Sequence, residues 1–177
     1  MYKKRYGRVT VRAWLTMELE QSNPIVMLIF GALMLFAGLA VRFVAGTPYR
    51  MLLETGIGDF VPPAFLMCVA WSLSFFIIGC AAGFILMYRL GGCDAEKYKG
   101  CMFFVLLAVL ELLWYPTFFA KGWVFLSILE CILILCLAIC ITGCFYRVSK
   151  FAGMLFLLHD IWLIYMLILN FAVFFRI

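Results

Sequence analysis

The stretch that decides the fold runs from Trp123 to Tyr146 and reads WVFLSILECILILCLAICITGCFY. It exceeds the roughly 20 apolar residues that a helix needs to cross the hydrocarbon core of a bilayer. Glu130 is its one charged residue, and its apolar residues do not alternate with polar ones as they would in a transmembrane strand. The stretch therefore predicts a transmembrane α-helix.

Four further apolar runs of this kind occur, at 24–45, 62–88, 101–119 and 151–174. Over the 177 residues, 68% are hydrophobic and 13% are charged, whereas a soluble domain is roughly half apolar. We therefore expect an all-α integral membrane bundle of five transmembrane helices, which forms one domain over residues 24–177.

The basic residues sort to the two sides of this bundle and orient it. Ten lie in the N-terminal tail or in loops on the same side, and four lie on the opposite side. Because the basic side of a membrane protein faces the cytoplasm, we expect a cytoplasmic N-terminus, an outside C-terminus and a location in the cell membrane. The net charge of +5 then reflects topology and contact with lipid, and it does not indicate nucleic-acid binding.

Residues 1–23 form a basic tail for which two structures stay open. Val11, Trp14, Leu15 and Leu19 recur at helical spacing among basic residues, which is typical of a helix that lies on the membrane surface. A disordered basic tail is the alternative.

The cysteines predict neither a disulfide nor a metal site. Six of the eight fall within the spans, where cysteine packs as a small apolar residue. Cys136, Cys140 and Cys144 share a helical face, but that face lacks the histidine or carboxylate ligands of a metal site. Cys93 and Cys101 fall in a predicted cytoplasmic loop, where reducing conditions disfavour a disulfide.

Ionisable and polar side chains within the spans are the candidate functional groups, because each costs free energy at membrane depth unless it faces protein, water or a ligand. They are Glu111, Glu130, His159, Asp160 and Asn170. Trp71, Glu111 and Glu130 lie ~12 Å below the outer ends of their spans, at one depth on three helices. Asp160 points about 100° away from His159 and need not share its cavity. His159 as a core histidine, and Glu130 as a neutral acid bonded to a neighbouring helix, stay open as alternatives.

Proline and glycine mark two further features of the spans. Pro116 lacks the N–H that would bind the carbonyl of Leu112, so it predicts either a bend beside Glu111 or a loosened helix end. Gly79 and Gly83 form a small-residue pair that predicts close helix contact, either within the bundle or across a dimer.

Four segments taken in order resemble the TspO/MBR family of five-helix membrane proteins, the tryptophan-rich sensory proteins and translocator (peripheral benzodiazepine receptor) proteins. They are VRFVAG at 41–46, FVPPAFLMCVAWSLSFFIIG at 60–79, LELLWYPTFF at 110–119 and FYRVSKFAGMLFLLHDIWLIYMLILN at 145–170. The positions that match the family motifs are Arg42, Pro62, Pro63, Trp71, Gly79, Trp114, Phe118, Phe119, Trp162, Leu169 and Asn170.

The resemblance implies a pocket inside the bundle, under the loop between the first two helices, that binds tetrapyrroles such as protoporphyrin IX or haem. The ligand-binding residues it implies are Phe60, Trp71, Phe75, Glu111, Trp114, Phe118, His159, Trp162 and Asn170, with Arg42 and Arg50 as lid residues and propionate partners. No catalytic residue, metal or required cofactor is expected. The implied partners are the lipid bilayer, a porphyrin-type small molecule and, since family members are often dimers, a second copy of the chain.

This sequence departs from the family pattern at three places. Phe60 replaces a tryptophan, Glu111 replaces an asparagine, and His159 ends a run in which the family has tyrosine and proline. The ligand can therefore differ from that of typical members, and the absence of the C-terminal sterol motif puts sterol binding in doubt.

The sequence is compatible with three functions. The first is a receptor or carrier that senses, buffers or transports tetrapyrroles. The second is an enzyme that degrades porphyrin with light and oxygen, with Trp71 or Trp114 as electron participants. The third is a proton-coupled transporter of small solutes that uses Glu111, Glu130 and Asp160 as titrating groups.

Overall fold

The structure of the chain is a computed structural model. The residues it describes are 10–45, 52–54, 56–57, 61–89 and 93–176. Arg50 and Phe60, two of the predicted site residues, lie outside the described residues.

The described part of the chain is helical and contains no strand. Its helices are α1 (Val11–Glu20), α2 (Pro24–Ala45), α3 (Ala64–Leu86), α4 (Asp94–Tyr115), α5 (Val124–Val148) and α6 (Lys150–Phe174), and a π-helix (Pro116–Ala120) continues α4. Among the described residues, α2, α3, α4 with its π-helix, α5 and α6 are long and apolar enough to cross a membrane. The predicted all-α membrane bundle with five spans is confirmed.

The start of α4 differs from the sequence prediction. The helix begins at Asp94 and not near residue 101, so Cys101 lies inside it and the prediction that this cysteine lies in a loop is wrong. Asp94 and Glu96 occupy the first turn, where acidic side chains stabilise the positive end of the helix dipole. These polar residues form a helical extension that hydropathy alone does not detect.

The five long helices close into a ring around an apolar interior. Helix α2 packs against α3, α3 against α6, α6 against α5, and α5 against α4. Helix α4 also contacts α2 and α3, which closes the ring. Side chains from α3, α4, α5 and α6 therefore meet in the interior.

The contact between α2 and α3 depends on two glycines. A side chain on Gly79 would collide with the backbone carbonyl of Phe30, and one on Gly83 would lie 2.9 Å from the carbonyl oxygen of Val26. Of the two alternatives for this pair, the structure therefore shows close packing within the bundle.

Helix α1 is bonded to the end of the bundle at which α2 begins. The Glu18 carboxylate accepts hydrogen bonds from the Tyr88 hydroxyl at 3.0 Å and from the Ser149 hydroxyl at 2.7 Å. Ser149 also caps the start of α6, because its side chain accepts from the Ala152 N–H. Burial raises the pKa of Tyr88 to about 12, so its hydroxyl keeps the proton that it donates. Glu18 thereby ties α1 to α6 and to the residues that follow α3.

Replacing Gly79 with alanine is expected to destabilise the bundle. The added methyl group collides with backbone that cannot turn aside, and overpacking of this kind costs about 1–3 kcal/mol. Gly143→Ala is the matched control, because a Cβ at this helical position meets open space and helix propensity favours alanine. Thermal unfolding in detergent should show a lower Tm for Gly79→Ala alone. Equal Tm values for the two variants would contradict the close contact.

Candidate functional site

The site begins at the point where α4 changes into the π-helix. Pro116 does not end the helix. The Lys121 N–H donates to the Pro116 carbonyl at 3.0 Å, and the Trp123 N–H donates to the Thr117 carbonyl at 3.1 Å, so the turns are wider than those of an α-helix. Pro116 thus begins a widened last turn of the span, which ends at Ala120. Phe118 lies within this π-helix and is fully buried.

Five aromatic side chains that the sequence singled out come together in the interior. The Trp71 and Trp114 rings stack with their centroids 5.5 Å apart, and Trp114 stacks on Phe118 at 5.4 Å. Phe75 lies 5.3 Å from Trp71, and Trp162 meets Trp71 edge to face at 6.5 Å. Trp71 is therefore the centre of a cluster built from α3, α4, the π-helix and α6.

A buried polar chain lies next to this cluster. The Glu111 Oε1 is 2.6 Å from the His159 Nε2, and the His159 Nδ1 is 2.6 Å from the Ser74 hydroxyl oxygen. All three residues are at most 5% exposed. These three side chains connect α4, α6 and α3, and each nitrogen of the imidazole ring has a polar side-chain atom beside it.

Trp71 and Met166 divide the predicted pocket into two chambers, and both side chains line each chamber. The outer chamber has a volume of about 20 Å³, and its other lining residues are Arg42, Leu52, Ala64, Met67, Tyr115 and Phe119. The inner chamber also has a volume of about 20 Å³ and is lined, among others, by Phe75, Glu111, Trp114, Cys131, His159 and Trp162.

The two chambers differ in the ionisable side chains that line them. Arg42, which is partly buried, brings a positive charge to the outer chamber. Glu111 and His159 bring an acid and a base to the inner one. Within the described part of the chain, the Trp71 Nε1, the Tyr115 hydroxyl and the Glu111 Oε2 are buried without a hydrogen-bond partner. Buried polar atoms are normally bonded, so these three atoms are available to a ligand.

Asn170 and Phe118 are predicted ligand contacts that line neither chamber. The Asn170 side chain accepts a hydrogen bond from the Ser127 hydroxyl at 2.8 Å and donates to the Met166 carbonyl at 2.7 Å. The Ser127 carbonyl in turn accepts from the Trp114 indole N–H at 3.1 Å. Asn170 thus positions α5, and through it Trp114, while Phe118 supports Trp114 by stacking.

Two of the acids in the spans also lie away from the chambers. Glu130 lies in a groove on the outside of the bundle, together with Leu113 and Thr117. Asp160 accepts a hydrogen bond from the Thr142 hydroxyl at 2.7 Å, so it is used in joining α6 to α5. The common depth of Glu130 and Glu111 does not bring them into one site, because they face different sides of the α4–α5 pair.

Sequence analysis did not identify Ser74 or Tyr115 as site residues. Ser74 follows Trp71 by three positions and therefore shares its face of α3, which is the signal that could have found it. Tyr115 follows Trp114 and points into the outer chamber, a direction that depends on how α4 is rotated in the bundle.

Breaking the Glu111–His159 contact from either side should destabilise the protein. Glu111→Ala leaves the His159 Nε2, and His159→Ala leaves the Glu111 carboxylate, without the polar group beside it, and each loss costs about 1–3 kcal/mol. Because the two changes remove the same contact, the double variant should lose clearly less stability than the sum. Thermal unfolding in detergent measures this cycle. Additive losses would mean that the two side chains do not interact.

A model of the TspO/MBR family matches residues 25–176, whereas no curated protein matches the chain. The matched region starts within α2, extends through α6 and leaves out α1, so it contains both chambers. The chain therefore belongs to the TspO/MBR family.

Proposed function

We propose that this protein binds a tetrapyrrole such as protoporphyrin IX or haem in the outer chamber, for sensing, buffering or transport. Its family is one of membrane proteins that bind and sense tetrapyrroles. The observation that carries the proposal is the outer chamber itself, which combines one cationic side chain, Arg42, with the aromatic faces of Trp71, Tyr115 and Phe119.

These residues fit the chemistry of a carboxylated macrocycle. The flat apolar rings of a porphyrin stack well on aromatic side chains. A guanidinium binds a carboxylate through two parallel hydrogen bonds, so Arg42 is the partner for a propionate. The Tyr115 hydroxyl, which lacks a partner among the described residues, supplies a further hydrogen bond. Leu52, from the connection between α2 and α3, is 1% exposed and lines the chamber, as a lid residue would.

A macrocycle needs far more room than the outer chamber provides, because its volume of about 20 Å³ is little more than one bound water molecule requires. Rotation of the Trp71 side chain would join the two chambers. The Trp71 indole N–H has no hydrogen bond with the described residues, so the rotation breaks none there. Met166, the other side chain between the chambers, is flexible and adapts easily to a ligand.

We also propose that the N-terminus is cytoplasmic and the C-terminus outside, in a cell membrane, because most of the basic residues lie on the side that holds α1. This orientation places the outer chamber near the external surface. The homodimer implied by the family resemblance stays a prediction.

The proposal predicts that Arg42→Gln weakens protoporphyrin IX binding by about tenfold, since a charged hydrogen bond contributes roughly 1.5–3 kcal/mol. Trp71→Phe should weaken binding less, because it keeps an aromatic face. Arg176→Gln is the matched control, since Arg176 follows α6 and lines neither chamber.

Quenching of tryptophan fluorescence during a protoporphyrin IX titration in detergent measures these affinities. The Arg176→Gln variant should bind like the wild type. Equal affinities of the wild type and Arg42→Gln would contradict the outer chamber as the site. Illumination of the complex in air is a separate test, in which a new product absorption would favour the porphyrin-degrading alternative.

A further inference from the structure

We propose that a groove on the outside of the bundle, between α4 with its π-helix and α5, binds a primary amine that carries one alkyl chain. The nitrogen of the amine lies at Glu130. The site goes beyond the proposed tetrapyrrole function, because the groove shares no lining residue with either chamber. The residues that line this Glu130 groove are Leu113, Thr117, Leu126, Leu129, Glu130 and Leu133.

The Glu130 groove has room for a ligand. Its volume is about 380 Å³, against about 20 Å³ for each chamber. Its four leucines are 47–52% exposed on the outside of the bundle, where the surface of a spanning helix meets lipid. An alkyl chain can therefore enter the groove from the bilayer without passing through the bundle, and it packs there against leucine side chains.

The Glu130 carboxyl group is the feature that calls for a ligand. An ionisable side chain within a span normally faces the bundle interior or a partner, but Glu130 faces the groove. Its Oε2 is buried and has no hydrogen-bond partner among the described residues. Thr117, the other polar side chain of the lining, donates its hydroxyl proton to the Leu113 carbonyl at 2.9 Å. That proton is therefore not available to Glu130.

The carboxyl group selects a basic head group. Among the described residues that line the groove, Glu130 is the one that can carry a charge, so an anionic head group would meet no cation there. An amine and a carboxylic acid together are neutral whether their shared proton lies on nitrogen or on oxygen. The amine therefore brings a hydrogen-bond donor without adding net charge at membrane depth. The last torsion of a glutamate is broad, so its rotation turns Oε2 toward the amine.

The position of Glu130 along the membrane also suits the head group of an amphiphile. Glu130 lies less than two helical turns after Val124, the first residue of α5. Trp123, which precedes that helix, is 58% exposed, and tryptophan is enriched where a membrane meets water. The nitrogen can therefore stay near this interface at Glu130, while the alkyl chain continues past Leu133 toward the centre of the bilayer.

Two other occupants fit the groove less well. A transmembrane helix packs along roughly 30 Å, whereas the lining residues of α5, from Leu126 to Leu133, cover ~10 Å of helix. Such a helix would also have to carry its own lysine or arginine at membrane depth, which is costly. A second copy of the chain, related by twofold symmetry, would place Glu130 against its counterpart and supply no cation.

Dodecylamine is the probe, and dodecanoate is the ligand control, because it has the same chain length and an anionic head group. Each is titrated into the detergent-purified full chain, and native mass spectrometry counts the molecules bound to each protein. The expected result is one dodecylamine bound per chain at saturation. Its affinity should exceed that of dodecanoate by about tenfold or more, because the hydrogen bond to a charged group is made by the amine alone.

Glu130→Gln should weaken dodecylamine binding about tenfold, because it removes the acidic partner of the amine. Glu20→Gln is the matched control, since it makes the same change on an exposed side chain of α1, and it should leave binding unchanged. Leu133→Ala is a second variant that keeps the carboxyl group. It should weaken binding by a smaller factor, because it removes part of the apolar wall.

Four outcomes would overturn the proposal. They are no saturable binding of dodecylamine to the wild type, equal affinities for dodecylamine and dodecanoate, equal dodecylamine binding by the wild type and Glu130→Gln, and a protein dimer that Glu130→Gln dissociates. The first two are decided by the wild type, even where a variant fails to fold. The fourth would assign the groove to a second copy of the chain.

Discussion

The structure depends on how a carboxylate is accommodated inside a membrane-spanning bundle. Glu111 is buried at a depth where an unneutralised charge costs several kcal/mol, and His159 lies against it at 2.6 Å. The imidazole also binds Ser74, so one polar contact fixes α4, α6 and α3 relative to one another. The aromatic cluster and both chambers are assembled around this fixed point.

Two of the departures from the family pattern are neighbours in the fold. Glu111 replaces an asparagine in one span, and His159 replaces the end of a tyrosine and proline run in another. Separated in the sequence, they are in direct contact in the fold. An acid at position 111 without the imidazole would be an uncompensated buried charge, and the histidine supplies its partner. The pair places an acid and a base next to each other inside the bundle. At position 111 the family pattern has an asparagine, whose side chain is a neutral amide.

The interior is also polarised along the membrane normal. Arg42 lies in the outer chamber and Glu111 in the inner chamber, with Trp71 and Met166 between them. The first chamber therefore contains a cationic side chain, and the second contains a carboxylate beside an imidazole. Trp71 is held between the chambers by ring contacts and not by a hydrogen bond among the described residues.

The five spans, the all-α class and the set of unusual polar and aromatic residues within the spans could be determined from the sequence. These properties are local, because bilayer thickness sets the length of a span and hydropathy marks it. Tertiary structure alone decided which of those residues meet. Glu111 pairs with His159, whereas Glu130 faces a groove, Asp160 binds Thr142 and Asn170 binds Ser127. The rotation of each helix about its axis selects these partners. That rotation is set by packing between distant segments, such as Ser74 and His159, 85 residues apart.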